Sequence, residues 1–313
     1  MIIKNYKTSL IVSALCLLIF SCKENSETIE VTTDNFHTAI DKVVDVMIHD
    51  IFSPPVASRV FVYPNIAAYE ILALKDSSYH SLKNQIKHLE AIPSPNPAKK
   101  INYPLAAIIA HLNISKQLIL SEEKIEMYRD SLYNVWKAKN PREFNESKAY
   151  GLKVAAHITA WMNKDNYAQT RTMPKFSVDS EDESRWQPTP PSYMDGLEPH
   201  WNKIRSFVID SAAQFKPVPP PKFSMNKNSD FYKELKEVYD VSLEITKKGD
   251  ATEEIAIAQF WDCNPYVSVN RGHLMFAVKK ITPGAHWIGI TKIAAKNDKA
   301  DFNRTVFAYT KTS

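Results

Sequence analysis

The sequence predicts an all-α protein built of packed helical bundles, on three observations. Apolar residues recur with a 3.6-residue period along most of the chain after residue 34. Glycine occurs only six times, too sparsely for a doubly wound or barrel fold, while the 19 prolines read as stiff connectors between helices. Strand-like alternation is scarce, and no internal repeat is visible.

From Asp34 to Ile51 the apolar positions Phe36, Ile40, Val43, Val44, Met47, Ile48 and Ile51 define a helix with one buried face. Pro54-Pro55 ends it. A second apolar helix runs from Val56 to Leu74, with a kink expected at Pro64. A short helix is predicted over Ser81–Leu89, then a loop through Pro93, Pro95 and Pro97. Further helices follow over Pro104–Leu120, Glu122–Lys139 and Glu143–Met162. The stretch from Asn163 to Phe223 is long, proline-rich and aromatic, and is expected to wrap the bundle; Trp186, Tyr193, Trp201 and Phe207 read as pins for it, the alternative being that they line a substrate groove. Helical periodicity resumes over Asp230–Thr246. Thr252 then reads as an N-cap, with Glu253 and Glu254 at the positive end of the following helix. Helices are also predicted over Asn270–Ile281, after Pro283, and over Ala300–Ser313. The last carries an apolar stripe of Phe302, Val306 and Phe307 that is expected to pack on something downstream, so the chain reads as one that ends inside its fold.

The first residues carry a different message. Lys4 and Lys7 precede an apolar run from Leu10 to Phe20, and Ser21 stands directly before Cys22. A cationic start, a short apolar run and a small residue at the cut describe a secretory leader, and the cysteine makes the cut a lipobox. Residues 1–21 are therefore expected to be a signal peptide. Cys22 is expected to be lipidated, with residues 22–33 as a polar tether and the mature chain anchored to the membrane of the cell envelope.

Charges are interspersed along the chain, and the formal net charge of +4 becomes nearly balanced once the leader's two lysines leave. No stripe for nucleic acid is implied. Of three cysteines, Cys16 falls in the leader and Cys22 at the cut, so Cys263 alone remains and packing must hold the fold. Cys263 beside Asp262 reads as a buried structural thiol, since an adjacent carboxylate disfavours the thiolate. The histidines show neither His-Glu-x-x-His nor paired-cysteine spacing, so no metal site is expected. The domain reading is 34–164 for an N-terminal helical region, 165–228 for the wrapping segment and 229–313 for the start of a second helical region, incomplete.

Three ordered stretches carry a resemblance. They are Ser53-Pro54-Pro55-Val56-Ala57-Ser58-Arg59 with Tyr63-Pro64-Asn65; Trp186-Gln187-Pro188-Thr189-Pro190-Pro191 with Glu198-Pro199-His200-Trp201; and Phe260-Trp261-Asp262-Cys263-Asn264-Pro265 with Arg271-Gly272-His273 and Pro283-Gly284-Ala285-His286-Trp287. Together they resemble the vanadium haloperoxidase and type 2 phosphatidic acid phosphatase superfamily, in its secreted lipoprotein branch. The resemblance implies helical bundles of the haloperoxidase/acid phosphatase type. It also implies an oxyanion site for vanadate or phosphate, serving halide oxidation by peroxide or phosphomonoester hydrolysis. In that family the site follows a pattern of Lys, then Arg-Pro, then Pro-Ser-Gly-His, then Ser-Arg with a Gly and a His further on. Fixed cations hold a multiply charged oxyanion, and paired imidazoles supply nucleophile or ligand and acid/base.

The sequence departs from that pattern. It contains no Arg-Pro and no Ser-Gly-His, and neither Ser58-Arg59 nor Ser184-Arg185 has the Gly and His at the required distance. No catalytic residue can be carried over, and the bundle is expected to be truncated before the catalytic half. Arg271, His273, Lys279, Lys280 and His286 form the best candidate anion contacts. The plainer reading makes His273 and His286 structural and turns Lys279 and Lys280 to solvent; the functional one has the five flank a pocket completed by another half. No cofactor is expected for this chain alone, vanadate being implied by the family only if a C-terminal half, which could be separately encoded, is present. The competing function is a non-catalytic helical envelope lipoprotein that binds or scaffolds.

Overall fold

Proline and asparagine punctuate the bundle. In the computed structural model, which describes residues 27–190, 193–249, 252–261 and 281–313, ten α-helices form and no strand occurs among the described residues. They are α1 Thr33–Asp50, α2 Pro54–Ala73, α3 Tyr103–Ser115, α4 Glu122–Lys139, α5 Pro141–Met162, the short α6 Tyr167–Thr170, α7 Asp230–Lys248, α8 Glu253–Trp261, α9 Pro283–Asn297 and α10 Phe302–Thr312. Pro54, Pro104, Pro141 and Pro283 all fall in the first turn of a helix, where the missing N–H costs nothing. The Asn102 and Asn140 side chains cap α3 and α5, accepting from the Leu105 and Glu143 backbone N–H groups at 3.1 and 3.0 Å.

Helix α3 lies at the centre. Leu105, Ala106, Ala107, Ile108, Ile109, Ala110, Leu112 and Ile114 are fully buried, as a helix apolar on every side requires. Gly151 lets α5 approach it closely: a Cβ there would lie 2.7 Å from the Ala106 carbonyl oxygen.

Helices α1 to α5 alternate in direction, giving the bundle two ends. At one end the starts of α3 and α5 meet the segment before α1: the Ile29 N–H donates to Glu143 Oε2 at 3.1 Å, and Asn102 Nδ2 donates to the Ile29 carbonyl at 2.8 Å. At the other end Asp50, closing α1, accepts from the Ser121 N–H before α4 at 2.9 Å, and Arg59 in the first turns of α2 reaches Asp165 just past α5. Helices α9 and α10 lie against α1 and α2. Lys292 pairs with Asp41 at 2.5 Å, and His37 Nδ1 meets the Tyr309 hydroxyl at 2.7 Å.

Several expectations need correcting. Ser81–Leu89 is turns, not helix. Glu70 takes the Ser81 hydroxyl and the Leu82 N–H at 2.6 Å each, and Asn84 and His88 adopt positive φ. The Lys87 backbone is spent on Phe207 and on the Trp161 indole. Helix α3 stops at Ser115 and gives way to a 3₁₀ turn, Lys116–Leu118. The tether over 22–33 is shorter than read. Ile29 is buried, the Glu27 carbonyl accepts from Asn140 at 3.1 Å, and α1 already begins at Thr33. The stripe on the last helix needs no downstream partner, because Phe302 packs on Phe36 and Phe307 on Tyr69 and Tyr79. The helix expected over Asn270–Ile281 falls almost wholly outside the described residues.

Candidate functional site

The end of the bundle carrying Arg59 and Asp165 holds a cavity of about 600 Å³, walled by the start of α2 and the loop 198–212. Its polar centre is the Asp165 carboxylate, 1% exposed. One oxygen accepts from Arg59 Nε and from the Tyr63 hydroxyl, both at 2.8 Å; the other accepts from the Tyr167 N–H at 2.8 Å. The Asp165 carbonyl takes the Arg205 N–H at 2.8 Å, so one residue joins α2, α5 and the returning loop.

A ladder of cations and rings surrounds it. Arg59 lies 4.2 Å and Arg171 4.7 Å from the Tyr167 ring centroid, and Arg205 4.3 Å from the Trp161 ring centroid. Arg171 also pairs with Glu198. Arg205 Nη1 donates to the Trp161 carbonyl at 3.0 Å, and its Nε is buried without a hydrogen-bond partner. Burial, then the charge of Asp165, push the Tyr63 hydroxyl far above the ordinary phenol range, and it donates to the Asp165 carboxylate.

Lys87 braces the loop from outside. Its ammonium donates to the Ser206 hydroxyl at 3.2 Å, to the Asp210 carbonyl at 2.9 Å and to the Ile209 carbonyl. Phe207 packs edge-on against Tyr63 and tilts over Trp161. The expected pinning of the wrapping segment thus holds for Phe207. Trp186 and Trp201 meet Phe176 and Tyr167, nearer in sequence, and Tyr193 stays exposed.

Vanadate or phosphate requires several free cationic donors and an imidazole at one point. The residues lining this cavity include no histidine and no lysine, and Arg59 is committed to a carboxylate. The residues lining this cavity therefore do not fit a vanadate cage, and no cluster of three His, Cys, Asp or Glu for a metal occurs among the described residues.

Of the candidate anion contacts, Arg271, His273, Lys279 and Lys280 lie outside the described residues, as do Cys22 and Cys263. His286 is exposed in the first turn of α9. Of the aromatics that could line a groove, Trp201 and Phe207 do line this cavity, while its polar centre, Asp165 with Tyr63 and Arg205, went unpicked in the sequence. Arg59 had one sign: with Glu70 it is one of only two charges in an otherwise apolar helix, and each needs a buried partner.

Among the solved structures that match is one described as "Crystal structure of the first bacterial vanadium dependant iodoperoxidase", at 63% identity and a TM-score of 0.86, over 92% of this chain and 67% of its own. No protein-family model matches, and neither does any curated protein.

Proposed function

The chain belongs to the vanadium haloperoxidase superfamily, and from that premise we propose that it is the helical scaffold of a lipid-anchored halide-oxidising protein of the cell envelope, without turnover on its own. The likeness over 92% of the chain carries the reading. For an iodoperoxidase, the word used of the neighbour, the balanced step is that iodide gives two electrons to hydrogen peroxide, a proton is taken up, and hypoiodous acid and water leave. The oxyanion pattern implied by the family is absent from these 313 residues, and the cavity offers no imidazole or lysine in its place. On this reading the 313 residues hold the scaffold and not the oxyanion cage. The leader and Ser21-Cys22 support export and anchoring through Cys22.

The test mixes the purified chain with orthovanadate, hydrogen peroxide and iodide and follows triiodide, with a phosphomonoester assayed in parallel. Neither is expected to turn over. An expressed form extended through the reading frame beyond Ser313 is expected to oxidise iodide only when vanadate is present. Iodide oxidation by the 313-residue chain, abolished by His286→Ala, would overturn the scaffold reading. Phosphomonoester hydrolysis by the extended form, without iodide oxidation, would overturn the halide one.

A further inference from the structure

The two ends of the bundle differ in how near they can come to an anchor at Cys22. Only residues 23–26 separate Cys22 from Glu27, where docking begins, so the link reaches at most about 18 Å. Glu27 is fixed to the starts of α3 and α5: Asn140 Nδ2 donates to its carbonyl, its carboxylate lies 3.7 Å from Lys139 Nζ, and buried Ile29 is bonded to both Glu143 and Asn102. Helix α5 then runs 22 residues, about 33 Å, before the chain reaches Asp165 and the cavity. The cavity end therefore lies farther from Glu27 than the link can span. Exposed Lys137, Lys139 and Arg142 lie at this turn between α4 and α5, Lys139 facing Glu27 and Arg142 facing Glu146 in solvent-exposed pairs that anionic headgroups can compete for.

The geometry points to an end-on orientation: the α3/α5-start end faces the bilayer and the Arg59–Asp165 cavity opens away from it, toward the aqueous side. This rests on the proposed anchoring through Cys22. Its partner is a lipid surface, and its consequence is that a soluble reactant reaches the cavity end without crossing the headgroup layer.

The test uses the full lipidated chain, carrying Cys263→Ser, reconstituted in phosphatidylethanolamine–phosphatidylglycerol vesicles with a headgroup acceptor dye. A donor dye is placed either at Ala138→Cys, exposed in the last turn of α4, or at Asn202→Cys on the cavity rim. Energy transfer from position 138 is expected to exceed that from 202 by about twofold or more, given the length of α5. Equal or reversed transfer, from a chain that stays with the vesicles while Cys22→Ser washes off, would overturn the orientation alone. A chain that washes off as freely as Cys22→Ser would overturn the anchor, and the orientation with it.

Discussion

Helices α3 and α7 are both well formed, yet opposite forces hold them. Ten of the 13 residues of α3 are buried, whereas none of the 19 in α7 is. α3 is apolar on all sides and has one side-chain cap. α7 carries an apolar stripe that includes Leu235, Val238 and Tyr239, all exposed, and leans on local devices. Ser229 caps it, Lys236 pairs with Asp240 at 2.6 Å, Lys247 and Lys248 close its last turn, and Gly249 at φ +81° ends it. Such local terms amount to tenths of a kcal/mol each, while most helical stability in proteins comes from tertiary packing. Periodicity thus announces a helix without saying whether its stripe has a partner.

The contrast breaks most readily where the packed region keeps its charges. Asp165→Ala leaves the Arg59 guanidinium, Tyr63 hydroxyl and Tyr167 N–H without their acceptor, and is expected to cost roughly 3–5 kcal/mol in denaturant unfolding. The double variant Arg59→Met, Asp165→Leu should recover much of that loss, since apolar replacement of a buried pair is often near neutral. A single-variant loss below about 1 kcal/mol would mean the cluster is solvated in solution.

Acid sharpens the comparison next. His111 in α3 is wholly buried with neither ring nitrogen hydrogen-bonded, and desolvation pushes its pKa down to about 3. Folded His111 stays neutral while the unfolded chain takes up a proton below pH 6.5. Its contribution is complete above 6.5 and is lost as pH falls toward 3, about 1.4 kcal/mol per unit. His37, also lowered chiefly by burial, acts in the same direction; Glu70, raised by burial, acts oppositely as pH climbs past the carboxylate range. His111→Leu should flatten the pH dependence of stability between 6.5 and 4.5 by roughly 2–3 kcal/mol. An unchanged slope would place the acid sensitivity elsewhere.

A smaller effect separates propensity from packing. Gly151→Ala gains about 1 kcal/mol in helix propensity. The new methyl would meet the Ala106 carbonyl at 2.7 Å and Ile109 at 3.1 Å, backbone and core that cannot withdraw freely. A net loss of about 1–3 kcal/mol is expected from overpacking. A net gain would show that α3 and α5 can slide apart.

What the sequence disclosed follows the same division. Pro54 and Pro104 marked helix boundaries because a missing N–H is a local fact, and Thr252 caps its helix by accepting from the Ile255 N–H for the same reason. The 3.6-residue period of α1 and the apolar run of α3 named most of the core. Ser81–Leu89 misled because its backbone groups answer to Glu70, Phe207 and Trp161, which no local pattern reveals. The cavity was harder still. Arg59 and Asp165 lie 106 residues apart, and Arg205 joins them only through the fold. The stripe of α10 was visible, but its partners Phe36 and Tyr69 lie far upstream, where no local pattern links them to it.

The smallest expected effect tests α7 itself. Val238 is 68% exposed, so Val238→Ala removes no packed neighbour, and Ala is the better helix former. The change in unfolding free energy should stay within about 0.5 kcal/mol. Backbone amides of α7 should exchange with solvent hydrogen far faster than those of α3, because opening α7 exposes no core. Protection in α7 equal to that in α3 would mean that its stripe is covered in solution. A loss of 1 kcal/mol or more on Val238→Ala would point to the same cover, and the difference between the two helices would then be one of partner, not of kind.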